Sequence, residues 1–324
     1  MAATIILMGC LMLFFAIFGI FGNTNIIIAT IRKPSLRSKT GILICLLAIF
    51  DLTCIGFQST IAVWQITNVE LPRADCFKSI VLYYIVQFMS ASTLVGLAID
   101  RLVAVNFPFW YIQSHVIYTI LYSTLPGLLT AMTFVTISLV EFTDGPAEFC
   151  SQVIILPEDL RPYSNWALFA FNIVTVVVYV AAYVSLVVQK RRSKATQNSQ
   201  LRNSLQHHEK AMKSITVFLI VFLLTWFVSQ FEFTVLPVFA DSPDPILNLL
   251  KASTPVFVVI SFSQCYYVYF WRCSEYRAAF MEQLCWRKPV SKVSVSSRSG
   301  NVPAFTESHL HRRPLSLGSR HQLA

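Results

Sequence analysis

The chain has 324 residues and a formal net charge of +9, with 55% hydrophobic and only 13% charged side chains. Soluble domains carry about 25% charged residues, so this composition excludes an ordinary water-soluble fold. The basic excess does not point to nucleic acid, because Lys and Arg fall in short segments between apolar runs and in the C-terminal stretch rather than among stacking aromatics.

Read with a window of about 19 residues, the chain shows apolar stretches near 5–31, 41–67, 79–105, 116–140, 166–188, 214–239 and 247–271. Each is long enough to cross a hydrocarbon core, and each is continuous rather than alternating, so each reads as a helix that satisfies its own backbone in lipid. The first has no Lys or Arg before Arg32, so it reads as a retained helix rather than a cleaved signal, after a short outer segment 1–4. No Asn-x-Ser/Thr acceptor occurs, and ligand binding is expected within the bundle or its short outer loops. The third stretch holds Gln87 and Ser90, and the seventh is interrupted by Pro255 and by the polar run at 261–264, so six spans is the alternative. Residues 272–288 place Tyr276, Phe280 and Leu284 at i, i+4, i+8, the pattern of an interfacial amphipathic helix, with a plain soluble turn as the alternative. The tail 289–324 is serine-rich with few large apolar residues and is expected to be disordered.

Orientation follows from the loops, because positive residues resist translocation. Arg32, Lys33, Arg37 and Lys39, the cluster from Lys190 to Lys213, Arg101 and the tail together hold 21 of the 25 basic residues. The opposite loops hold only Arg73, Lys78, Arg161 and Lys251, beside nine acidic residues. The N-terminus is therefore expected outside and the C-terminus in the cytoplasm, which needs an odd number of spans. Of eight cysteines, Cys76 and Cys150 are the two that this topology exposes to an oxidising compartment. A bridge between them would pin the second outer loop over the bundle mouth; two free thiols is the alternative. Cys273 and Cys285 flank an inner segment and are weak acylation candidates.

Ionisable residues within spans cost on the order of 3 kcal/mol and mark functional hypotheses. Asp51 must face the bundle, where Asn23, Ser90 and Ser261 can supply oxygens to it or to a small cation; a hydrogen-bonded structural Asp is the alternative. Asp100 and Arg101 stand at the inner end of the third span, as a mutual clasp or as an interfacial anchor. Glu232, in the outer half of the sixth span, can meet a ligand or a neighbouring helix.

These residues resemble the rhodopsin-like G-protein-coupled receptors over about 1–285. Gly22-Asn23 is followed by Leu36-Arg37, and Leu47-Ala48-x-x-Asp51-Leu52 stands in the second span. The third gives Cys76, Ser90, Leu94 and Asp100-Arg101, then Ala104-Val105-x-x-Pro108-x-x-Tyr111. Phe222-x-x-x-Trp226 and Tyr276-Arg277-x-x-Phe280 complete the series. Leu102 replaces the usual Tyr after Asp-Arg, Val228 stands where the kink proline is expected, and Cys265-Tyr266-x-x-Tyr269 keeps only the last Tyr of the seventh-span motif. With Leu36-Arg37-Ser38-Lys39, Phe107-Pro108 and Glu275-Tyr276-Arg277, the pattern is most similar to the nematode serpentine chemoreceptor class SX.

The resemblance implies an all-α membrane protein, a seven-transmembrane helix bundle with a short amphipathic eighth helix, in the plasma membrane. It implies a receptor that passes an odorant, metabolite or peptide signal to a heterotrimeric G protein. Asp100, Arg101, Tyr183, Trp226 and Tyr269 would form the coupling switch, with Glu209, His207 or His208 capping the resting state. The ligand-pocket candidates are Tyr83, Gln87, Trp226, Gln230 and Glu232. Tyr83 stands where amine receptors place an Asp, and no deep seventh-span Lys is present, so biogenic amines and retinal are disfavoured. No cofactor or metal is expected; membrane lipid is, through the basic inner loops. The rival function is a transporter or channel using Asp51 and Glu232. An intramembrane enzyme is disfavoured because all six histidines lie in inner loops or the tail.

Overall fold

The computed structural model describes residues 2–69, 71–141, 146–147, 150, 156–195 and 245–284. Its helices are α1 (Ala2–Arg32), α2 (Lys39–Thr67), α3 (Arg73–Asn106), α4 (Pro108–Gln113), α5 (Val116–Val140), α6 (Arg161–Ala195), α7 (Pro245–Ser263), α8 (Cys265–Arg272) and α9 (Ser274–Gln283). Among the described residues, five helices are long and apolar enough to cross a membrane: α1, α2, α3, α5 and α6. The stretch 214–239, with Trp226, Gln230 and Glu232, lies outside the described residues, as do Glu209, His207, His208, Cys285 and the tail 289–324.

The ends of the helices have local causes. The Ser38 hydroxyl accepts the Gly41 N–H at 3.2 Å and so caps the start of α2. Asn68 closes that helix in the left-handed region, φ 53°, which Asn tolerates better than most residues. The seventh stretch runs helically through Pro255 and breaks at Gln264, between α7 and α8. Within the spans, hydroxyls of Thr30, Ser59, Ser123 and Thr175 donate to carbonyls one turn back, so these polar residues need no partner from lipid.

Helix α1 packs on α2 and α7, while α3 is the hub, packed on α2, α5 and α6. In lipid an apolar side chain gains little by moving from acyl chains to protein, so close packing and polar contacts hold such helices together. The α3–α5 crossing is an example: a Cβ on Gly127 would fall on the Phe88 carbonyl oxygen and 2.7 Å from the Ser92 Cβ. Two buried clusters result. One surrounds Leu43, Leu97, Tyr179, Tyr269 and Phe280 near Asp100; the other surrounds Met12, Ile55, Tyr83, Phe88 and Val259 toward the opposite end. Large apolar side chains such as Phe14, Ile17, Leu129 and Val177 remain exposed on the outside of the helices, as lipid contact requires.

Cys76, in the first turn of α3, is joined to Cys150, closing 74 residues with Cα atoms 5.5 Å apart. Beside it, β1 (Leu71–Pro72) pairs antiparallel with β2 (Pro146–Ala147), Leu71 opposite Ala147. The loop before α3 and the loop after α5 are therefore tied by backbone as well as by sulfur, a pairing the helical pattern of the sequence did not announce.

Candidate functional site

The inner end of α3 holds a buried ion pair. Arg101 Nη2 lies 2.6 Å and Nε 3.1 Å from Asp100 Oδ2, and the same oxygen accepts the Thr40 hydroxyl at 2.8 Å. Asp100 is 0% exposed and Arg101 7%. A charged pair this deep is held by close pairing and additional hydrogen bonds, and here three donors converge on the single oxygen Oδ2. The other carboxylate oxygen, Oδ1, is buried without a hydrogen-bond partner. Thr40 comes from the first turn of α2, placed there by the Ser38 cap.

The neighbouring Lys39 reaches across to the segment after α3. Its ammonium donates to the Tyr111 carbonyl and, at 2.8 Å, to Ser114 Oγ, and lies 4.5 Å from the centre of the Tyr111 ring. Burial raises the Tyr111 phenol above its ordinary value, and the Asp100 carboxylate adds to the shift. Sequence reasoning named Tyr111 only as part of a motif and missed Thr40 and Ser114. Their spacing of 60 and 75 residues from their partners carries no periodic signal.

Tyr269 is buried in the same region, its ring 5.2 Å from Tyr276, which in turn stands 5.6 Å from Phe280. Tyr183, expected in the coupling switch with Arg101, is 47% exposed on α6, whereas Tyr179, one turn earlier, is buried in the cluster with Leu97 and Tyr269. The physical reason is rotational: four residues advance a helix by about 400°, so Tyr183 lies about 40° away from Tyr179, at the edge of the inward face.

Asp51 accepts the Ser90 hydroxyl at 2.9 Å. Asn23 donates instead to the Phe262 carbonyl at 3.0 Å, and Ser261 to the Val258 carbonyl at 2.7 Å. Of the expected quartet, only Ser90 touches the Asp51 carboxylate through a hydrogen bond. Asn23 fastens α1 to α7, and its Oδ1 is buried without a hydrogen-bond partner.

Toward the disulfide end, Tyr83 is fully buried and its hydroxyl receives Gln58 Nε2 at 2.6 Å; Gln87, about one turn further along α3, is also buried. Gln58 was missed by the sequence reading, although it lies two turns beyond Asp51 on α2 and so shares its face. Tyr84 and Ser164 share a hydrogen bond of 2.7 Å that joins α3 to α6. No group of three or more His, Cys, Asp or Glu residues able to hold a metal ion occurs among the described residues.

Comparison with known proteins is consistent with this architecture. Residues 16–284 match the family described as "Serpentine type 7TM GPCR chemoreceptor Srsx". The chain is 33% identical over 97 residues to an allatostatin-A receptor of Bombyx mori, covering 29% of this chain and 27% of that protein. It is 24% identical over 295 residues to a neuropeptide F receptor of Drosophila melanogaster, covering 83% of this chain and 60% of that protein. The chain thus spans less than two thirds of either relative's length. Its helices, its Asp100–Arg101 pair and the match over 16–284 agree: this multi-pass membrane chain belongs to the serpentine type seven-transmembrane G-protein-coupled chemoreceptor family Srsx.

Proposed function

We propose that the chain is a plasma-membrane chemoreceptor, with its disulfide-tied loops outside and Arg101 at the cytoplasmic end, that couples an external ligand to a heterotrimeric G protein. The observation that carries this reading is the clasp of Arg101 on Asp100, reinforced by Thr40. A buried cation held by an adjacent anion is a two-state element: released, its guanidinium becomes available to a partner. A ligand shifts that balance only by its preferential affinity for the released packing, and a few kcal/mol of differential contact suffice.

The relatives are named as receptors for allatostatin-A and neuropeptide F, which supports a peptide as the first ligand class to test, with odorants and metabolites next. Tyr83, Gln58 and Gln87 supply uncharged polar contacts toward the disulfide end, a setting that favours neutral or hydrogen-bonding groups over an ammonium. Trp226, Gln230 and Glu232 are proposed as the sixth span's share of that pocket. Asp51 with Ser90 reads best as a hydrogen-bonded polar site within the bundle, and the basic inner loops as a surface for anionic lipid and the G protein.

The test is expression with a second-messenger reporter challenged by peptide, odorant and metabolite panels, followed by Arg101→Ala at matched surface level. Loss of the evoked response is expected. An undiminished response would remove Arg101 from coupling.

A further inference from the structure

Gln264 is the joint between α7 and α8 and is 7% exposed, yet neither its Nε2 nor its Oε1 has a hydrogen-bond partner among the described residues. We infer that this amide biases the joint toward opening: it is poorly housed in the packing described here and is relieved when α8 swings away and the amide meets a polar group.

The cost lies in the side chain. The backbone at Gln264 is relaxed, with φ −76° and ψ −24°, and its carbonyl accepts the Val268 N–H at 3.2 Å. The primary amide offers two donors and an acceptor. Leaving such a group unmade in an apolar interior weakens the packing that buries it by roughly fivefold to a hundredfold. An apolar side chain of the same length would remove that penalty.

Helix α1 braces the two sides of the joint unequally. On the α7 side, Asn23 donates to the Phe262 carbonyl at 3.0 Å, both atoms buried, and Ser263 sits so close to α1 that a Cβ on Gly19 would strike its hydroxyl. On the α8 side, Tyr266 meets Phe21 edge to face, and the Tyr267 hydroxyl reaches the Phe18 carbonyl at 3.1 Å from a side chain 40% exposed. Apolar contacts are replaced by lipid at little cost, whereas buried hydrogen bonds are not. The α8 half is therefore the one that moves. Cys265, next in the chain and 0% exposed, is uncovered by that motion.

The sign of this effect is unusual. Removing a satisfied buried polar group destabilises a fold, but removing one that has no partner stabilises it. Gln264→Met keeps the unbranched length without the amide. In the receptor reading proposed above, the opened joint belongs to the packing that signals; that last step rests on the reading, and the bias itself does not.

The test uses the full chain in nanodiscs, alkylated with N-ethylmaleimide and followed cysteine by cysteine by mass spectrometry. In the unmodified chain Cys265 is expected to react faster than Cys54, which is also 0% exposed but lies within α2. Gln264→Met is expected to slow Cys265 about fivefold or more, leave Cys54 unchanged and raise the melting temperature by about 2 °C or more. Gln264→Leu repeats the comparison with a different shape, so a misfit peculiar to Met is recognised. Cys265 no faster than Cys54 in the unmodified chain would overturn the inference. So would unslowed alkylation, or a lower melting temperature, in both variants, since the amide would then be satisfied at rest. Ligand-independent second-messenger output should fall severalfold in the same variants, and unchanged output beside slowed alkylation would overturn the link to signalling. A silent unmodified chain would count against the receptor reading alone, with alkylation still deciding the bias.

Discussion

Gln189 donates its side-chain amide to the Val105 carbonyl at 2.9 Å, and the same nitrogen lies 3.4 Å from Asn106 Oδ1. Val105 is in the last turn of α3, whose carbonyls have no helical partner of their own. The contact thus fastens α6 to the end of α3 a few residues beyond the Asp100–Arg101 pair.

Gln189→Leu keeps the side chain's bulk and removes that donor. The expected loss is about 1 kcal/mol, seen as a drop of about 2 °C in the melting temperature of the purified chain. An unchanged melting temperature would mean that water replaces Gln189 at no cost.

Thr40→Val removes one of three donors on Asp100 Oδ2 while preserving shape. Hydrogen bonds to charged groups contribute about 1.5–3 kcal/mol, so the clasped packing weakens. Ligand-independent signalling at matched surface level is expected to rise by about tenfold or more, until the released packing is saturated. A fall would show that Thr40 supports the active packing instead.

Gly127→Ala should damage the fold, because the new methyl meets the Phe88 backbone oxygen, which cannot move without shifting α3. A cost of about 1–3 kcal/mol predicts reduced surface expression. Gly56→Ala is the control: nothing lies within 4 Å of a Cβ there, so expression should hold.

Cys76→Ser, Cys150→Ser and the double variant should lose similar stability, since either change opens the same 74-residue loop. The chain-entropy estimate is about 4 kcal/mol. Additive losses in the double variant would indicate a separate role for one of the thiols.

Much of this architecture was legible in the sequence. Five of the apolar runs appear as long apolar helices among the described residues, because lipid leaves the backbone only the helix, and the adjacent Asp100 and Arg101 announced themselves by the energetic cost of their position. Legibility ended where helix rotation decides. Thr40 meets Asp100 across 60 residues and Gln58 meets Tyr83 across 25, contacts set by how whole helices turn against one another. Tyr183 and Tyr179 share a periodic class, yet only Tyr179 is buried. The Leu71–Ala147 pairing was invisible because two-residue strands carry no alternation to detect.

Everything functional depends on which side of the bilayer holds Arg101 and which holds Cys76. The direct measurement places an epitope tag at each end of the chain and stains cells before and after permeabilisation. The account predicts an N-terminal tag reached in intact cells and a C-terminal tag reached only after permeabilisation. Both tags in one compartment would contradict it.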